Sequence, residues 1–280
     1  MFVVFSYAES MRIAILMAIT CAACSSASGD SDNLNSDASG FDLDGGVTDT
    51  SGTGGLDAKS NPGDSPSGSG DANRCGTTLT GVLRDFKESH PDFEDFLGSD
   101  PGIVKNDLGG DGKPVYAGSA GNPTTTNQTN FDQWYRDVDG VNKAFSHPIA
   151  LSKMGAVYTF ENNAFFPLDG KGFGNEGHPH NYHFTYELHT TFHYAGGETF
   201  TFTGDDDLFV FVNKRLAIDL GGVHGSATGS INLDADAAKL GLTKGQIYQL
   251  DFFFAERHTV DSHFRIDTTL DFVDCGSGIK

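Results

Sequence analysis

Three aspartates stand side by side in the run Thr203-Gly204-Asp205-Asp206-Asp207. Neighbouring carboxylates raise one another's cost of ionisation, and a cation among them relieves it. A hard cation such as calcium collects about six to eight oxygens from carboxylates, amides and backbone carbonyls. The chain just downstream offers more of them: Asn213, Asp219 and the carbonyls of Gly221-Gly222-Val223-His224-Gly225. Glycine admits positive φ, so carbonyls in such a loop can turn toward one point. The candidate calcium ligands are therefore Asp205, Asp206, Asp207, Asn213 and Asp219. On spacing alone, a polar turn with exposed aspartates explains the run equally well.

Histidine forms a second group, with His178, His180, His183, His189 and His193 close together. In a strand, residues an even number apart share a face, so His189 and His193 would lie together. Zinc needs three or four converging ligands with partners behind them. The expected roles here are structural or sugar-contacting instead. A third group is Glu256-Arg257-His258, followed by Asp261 and His263. Glu, Arg and His could act as acid, clamp and base. A buried Arg257 paired with a carboxylate such as Glu256 or Asp219 explains the same residues without catalysis. Gly222, His224, Arg257 and His258 are the candidate ligand-contacting residues. No G-x-S-x-G, H-E-x-x-H or P-loop motif occurs in the aromatic-rich region. A glycosidase needs two carboxylates facing across a sugar cleft, and Glu176, Glu187, Glu198 and Glu256 form no evident pair. The expected protein is not an enzyme.

Strands must position these groups. Thr77–Leu83, Tyr182–Tyr194, Glu198–Thr203 and Gln246–Ala255 mix β-branched and aromatic residues with polar ones, and His263–Phe272 does the same. Leu208–Val212 is a continuous apolar run, as in a strand covered on both faces, and Arg215–Leu220 returns after the Asn213-Lys214 turn. No crossover helix of useful length separates them. The expected fold is mainly β: an antiparallel, jelly-roll-like sandwich with one or two short helices, at Asp85–Leu97 and Phe131–Val138.

The chain has 280 residues, with 38 Asp and Glu against 18 Lys and Arg, for a formal net charge of −20. Such a surface repels phosphate backbones, so no nucleic-acid partner is expected. Met11-Arg12 opens a basic stretch, Ile13–Ile19 is a short apolar run, and Ala22-Ala23 precede Cys24. This pattern reads as an export signal. The stretch around Cys24 is similar to a bacterial lipobox, which would make Cys24 the lipidated residue; Cys21 stands where Leu is usual. Ordinary cleavage near Ala22-Ala23 is the alternative. The expected location is lipid-anchored in the cell envelope, at the outer membrane or cell surface. Residues 25–74 are rich in Ser, Gly and Asp and read as a disordered acidic tether. Residues 75–280 then form one folded domain. Cys75 and Cys275 bracket it, and an exported chain favours their pairing as a disulfide. In the chain-entropy model, closing a loop of about 200 residues contributes roughly 4–5 kcal/mol.

The run FTFTGDDDLFVFVNKRLAIDLGGVHG resembles the signature of the fibro-slime domain. So do FGNEGHPHNYHFTYELHTTFHYAGGETF upstream and LDFFFAERHTVDSHFRIDT downstream. The resemblance covers about Thr77 to Phe272. That family is similar to the protective-antigen (PA-14-type) lectin-like β-sandwich of toxins, glycosidases and adhesins. In the adhesins, two adjacent aspartates joined by a cis peptide hold calcium, and calcium holds sugar hydroxyls. The resemblance thus implies a calcium pair at Asp205-Asp206. Asn213 is a candidate for the Asn that completes the adhesin site, and the extra Asp207 leaves open which two aspartates bind. The implied function is a surface-tethered, calcium-dependent module that binds extracellular glycan or polysaccharide. A polysaccharide-acting enzyme or a matrix component without a small-ligand site are the alternatives.

Overall fold

Alternation of apolar and polar residues writes most of the strands. In Thr199–Gly204, Phe200 and Phe202 face inward while the threonines between them face out. A computed structural model describes residues 76–119 and 121–278, all within one unit, Ser65–Lys280. The expected signal segment, tether, Cys24 and Cys75 lie outside the described residues. The chain runs β1 (Thr78–Phe86), β2 (Gly98–Ser99), α1 (Gln128–Phe131), β3 (Asn142–Ala150), β4 (Ser152–Met154) and β5 (Val157–Asn162). It continues through β6 (Phe184–Tyr194), β7 (Thr199–Gly204), β8 (Asp207–Val212), β9 (Arg215–Leu220), β10 (Gly222–Val223) and β11 (Ala227–Asn232). The last elements are α2 (Leu233–Leu240), β12 (Gln246–Glu256), β13 (Phe264–Thr268) and β14 (Asp271–Asp274).

The strands form an antiparallel sandwich. One sheet has the order β3-β1-β6-β12-β8-β9, with β14 also paired to β6; the other has the order β11-β7-β13-β5-β4. Between them lies a core of Leu208, Val210 and Phe252 from the first sheet against Phe200, Phe202 and Phe264 from the second. Phe264 meets the rings of Phe165, Phe202, Phe252 and Phe254 with centroids 4.6–5.5 Å apart. Truncating so central an aromatic costs about 3–5 kcal/mol.

The first sheet is covered on its other face too. Phe209, Phe211 and Phe253 point away from the sandwich core and pack with Phe86, Phe93, Phe131, Trp134 and Tyr135. Apart from Phe86 at the end of β1, that second layer comes from residues 87–141, which contain little regular structure. It explains why β8 is buried at all six positions.

Several sequence expectations need correction. No helix forms over Asp85–Leu97: Asp85 and Phe86 end β1, and the rest is turns. Pro91 lacks an N–H and pushes His90 out of the helical region. The helix expected at Phe131–Val138 is a four-residue turn of helix at Gln128–Phe131, capped by the Asn127 side chain. His263–Phe272 is two strands, on different sheets. β3, β4, β5, β11 and α2 were not anticipated. The signals for α2 are nonetheless in the sequence. Asn232 caps it, Asp234 and Asp236 occupy its first turn, and Gly241 closes it with φ 69°.

Candidate functional site

β7 and β8 belong to different sheets, so Asp205 and Asp206 are the crossing between them. Two further crossings lie at the same end of the sandwich. Residues 221–226 lead from β9 to β11, and residues 257–263 from β12 to β13. The register fixes this placement: Leu208 pairs with Leu220, Asp207 with Ala255, and Gly204 with both Ala227 and Phe264. A cleft of about 330 Å³ opens among the three crossings. Asp205 and Asp206 form its carboxylate part. Val223, His224 and Gly225 come from the second crossing, and His258, Val260 and Asp261 from the third. Leu97 completes it from the covering layer.

The three aspartates have separate roles. Asp207 is fully buried and pairs with the equally buried Arg257: its Oδ2 accepts from Nε at 2.6 Å and its Oδ1 from Nη2 at 3.1 Å. Arg257 also donates to the carbonyls of Asp92 and Thr124, and its guanidinium lies 4.7 Å from the Trp134 ring. Burial alone would lower the Arg257 pKa; Asp207 raises it above its ordinary value. Asp207 and Arg257 are therefore a structural pair behind the cleft. The arginine's partner is Asp207, neither Glu256 nor Asp219, and Arg257 has no surface with which to touch a ligand.

Asp205 and Asp206 have backbone partners. Asp205 Oδ1 accepts from the His263 N–H at 2.5 Å, and its Oδ2 lies 3.0 Å from the His263 ring. Asp206 accepts from the His224 N–H at 3.1 Å and the Arg257 N–H at 3.0 Å. The Asp205–Asp206 peptide is cis, as the resemblance implies for the pair. Burial, and then the charge of Asp207, push Asp206 up to about 7. Glu256, at the end of β12, is buried with Oε2 lacking any hydrogen-bond partner; burial and then Asp206 push it well above the carboxylate range. Among the described residues, Asp206 and Glu256 have no ion pair of their own, since Arg257 is held by Asp207, while the His263 ring stands beside Asp205.

Two expected ligands are elsewhere. Asn213 sits in the β8–β9 turn with φ 51°, and its side chain donates to the Leu240 carbonyl. At about 3.3 Å per residue, β8 carries it about 20 Å from Asp207. Asp219 accepts from the N–H groups of Gly102 and Gly221, fastening the covering layer to β9. Burial raises it above its ordinary value. Gly222 lies behind the cleft wall, where its N–H donates to Asp207 and any Cβ would meet the Gly98 carbonyl at 2.3 Å. His224 and His258 do line the cleft. Among the described residues, no group of three or more His, Cys, Asp or Glu side chains is arranged to hold a metal by itself.

The histidine-rich segment disperses. His178 lies near Glu88, His180 near Asp169, His183 near Glu94, and His189 between Glu187 and Asp251. Each of these four has its own carboxylate; the rings of His178 and His183 meet edge-on at 6.0 Å, but the four do not gather at one point.

The cleft residues that the sequence did not point to are Leu97 and Val260, and Asp261 was read only as a neighbour of the Glu256-Arg257-His258 group. Asp261 could have been found from its place in a strand connection at the Asp205 end. Leu97 carries no signal, because its segment has no period.

Residues 173–279 match the PA14 domain. The chain is 43% identical to protein psiR of Dictyostelium discoideum over 65% of this chain and 20% of that protein. It is 41% identical to protein psiD of the same organism over 69% of this chain and 41% of that one. The chain thus spans less than half the length of these relatives. Among solved structures, it is similar to the PA14 domain of the antifreeze protein MpAFP, at 8% identity and TM-score 0.30, over 74% of this chain and 94% of that one. It is also similar to a PA14 sugar-binding domain from an RTX adhesin, at 9% identity and TM-score 0.31, over 72% and 99%.

Proposed function

We propose that this chain is a fibro-slime module of an exported protein, a calcium-dependent carbohydrate-binding or adhesive domain whose site is the Asp205–Asp206 cleft. The observation that carries this reading is the unmatched carboxylate group. Asp206 and Glu256 are buried, both are pushed upward in pKa, and Glu256 Oε2 has no partner. A hard cation answers all three conditions. Asp205 and Asp206 would hold it, with Glu256 behind them and Asp261 at the cleft edge; backbone carbonyls and water complete such a shell. When bound, calcium offers open coordination positions to vicinal sugar hydroxyls. The protein's own part is to hold the two carboxylates rigid through the N–H groups of His263, His224 and Arg257.

Calcium titration by calorimetry, followed by a glycan array with and without chelator, tests this. Calcium-insensitive or absent glycan binding would reject it. Release of reducing sugar from a polysaccharide would favour an enzyme, and silence in every assay a matrix component. Anchoring through Cys24 belongs to the same proposal. Cys24→Ser should release the protein from the membrane fraction, and retention there would refute the anchor. So does the clasp: peptide mapping under non-reducing conditions should find Cys75 joined to Cys275, and two free thiols would refute it.

A further inference from the structure

Five large hydrophobic side chains are exposed among the described residues, and two of them, Leu97 at 67% and Val260 at 64%, line the same cleft. A scattered exposed aliphatic needs no explanation. Two that arrive from distant parts of the chain at one carboxylate-floored cleft do.

Neither sits on a slack loop. Leu97 is followed directly by β2, whose Gly98 and Ser99 pair with Val223 and Gly222 of β10. On its other side is Glu94, held at φ 67°, whose N–H donates to the Arg257 carbonyl at 2.8 Å. The Glu94 carboxylate accepts from the Thr259 N–H at 3.1 Å and from the Thr259 hydroxyl at 2.5 Å. Burial alone would raise the Glu94 pKa, but the hydrogen bonds from Thr259 and His183 bring it below its ordinary value. Thr259 immediately precedes Val260. One carboxylate therefore fastens the segments that bear both aliphatic side chains.

We propose that Leu97 and Val260 form an apolar rim that selects glycan residues carrying a methyl group beside the hydroxyls that meet the floor. This rests on the carbohydrate-binding reading of the cleft. The cleft is amphipathic, with Asp205 and Asp206 for hydroxyls and two aliphatic side chains for carbon. A methyl group that leaves water against Leu97 and Val260 strengthens binding by about fourfold. The methyl can come from a 6-deoxy carbon or from an N-acetyl group. Leu97 lies outside residues 173–279, so half of the rim comes from beyond the stretch that matches the PA14 domain.

Two sugar pairs test the rim by calorimetric titration of the whole protein in saturating calcium: L-fucose against L-galactose, and N-acetylglucosamine against glucose. The wild type should prefer the methyl-bearing member of one pair by about fourfold, and the pair that responds identifies the source of the methyl. Leu97→Ser and Val260→Ser should each reduce the preference. The double variant should bind both members equally, with an unchanged melting temperature, because both side chains are exposed. Equal binding of both pairs by the wild type, or a preference that survives in the double variant, overturns the rim. Asp206→Ala separates the two ideas. If sugar binding depends on Asp206 but shows no methyl preference, only the rim fails. If no sugar binds, or binding ignores Asp206, the carbohydrate reading fails and takes the rim with it.

Discussion

Glu187 and Asp251 lie in the middle of the main sheet; cations surround Glu187, and Asp251 shares His189 with it, although its Oδ2 has no hydrogen-bond partner. Arg84 Nη1 is 2.6 Å from Glu187 Oε2, Lys113 also meets Glu187, and His189 bridges Glu187 and Asp251. Asp205, Asp206 and Glu256 lie at the end of the same sheet, and the one nearby guanidinium is held by Asp207. Burial is similar in the two places, but matching is not. In the first, cations bring Glu187 down to about 2 against the penalty of burial. In the second, Asp206 goes up to about 7. A protein that can match buried carboxylates with its own cations, and does so on the sheet face, leaves unmatched those that face a cleft. The first group holds the covering layer to the sheet. In the second, the proposed cation would supply the missing charge.

The largest way to break this contrast is to remove Arg257. Arg257→Met strands Asp207 in a fully buried site, and chemical denaturation should show a loss of about 3–5 kcal/mol. Arg257→Met with Asp207→Leu should recover most of it. Unchanged stability in the single variant would mean that Asp207 needs no partner.

Calcium gives the next largest effect. At a hundred times its dissociation constant it should stabilise the domain by about 2.7 kcal/mol, seen as a higher melting temperature. Asp206→Ala should abolish that response, while Glu187→Gln, in the matched group, should keep it. A response lost in both variants or in neither would erase the distinction.

The matched group makes its own prediction about pH. Burial works against a charged His189, but hydrogen bonds to Asp251 and Glu187 outweigh it and raise its pKa from 6.5 to about 9. A raised pKa gives stability that is fully present below 6.5 and fades as pH climbs through about 9. Glu187, depressed from 4.5 to about 2, gives stability present above 4.5 and lost as pH falls toward 2. In melting temperature against pH, these two groups together contribute a plateau between about 4.5 and 6.5 with a decline on both sides, and Asp206, raised from 3.8 to about 7, adds a loss as pH rises through that window when no cation is bound. His189→Gln should flatten the alkaline decline; an unaltered decline would place its origin elsewhere. Lys113→Met should be mildest, about 1 kcal/mol or less by denaturation, since Arg84 and His189 still match Glu187. A loss as large as that of Arg257→Met would show the network to be far less redundant.

Much of the C-terminal half was legible from the sequence. The alternation in β7 and β13 and the unbroken Leu208–Val212 run encode which faces are buried, because a strand's side chains alternate with a period of two. The aspartate run was legible as a strand junction for the same reason: it falls where one strand ends and the next begins. Even the exclusion of Asn213 was available, since a six-residue strand separates it from the aspartates. The covering layer was not legible. Residues 87–141 bury Phe93, Trp134 and Tyr135 through turns, and turns have no period.

The sequence by itself determined β1, β6 to β9 and β12, the excess of carboxylate and the strand junction at Asp205–Asp206, all of which depend on near neighbours in the chain. Only the tertiary structure decided that Arg257 belongs to Asp207, that Glu256 Oε2 lacks a hydrogen-bond partner, and that Leu97 and Val260 line one cleft. Those outcomes depend on which strand connections meet at one end of a sandwich. They join residues 50 to 165 positions apart, as in the bonds from Arg257 to Asp207 and to Asp92. No local pattern of charge or hydrophobicity carries that information, because pairing energy depends on distance in space and on burial, both of which the fold sets.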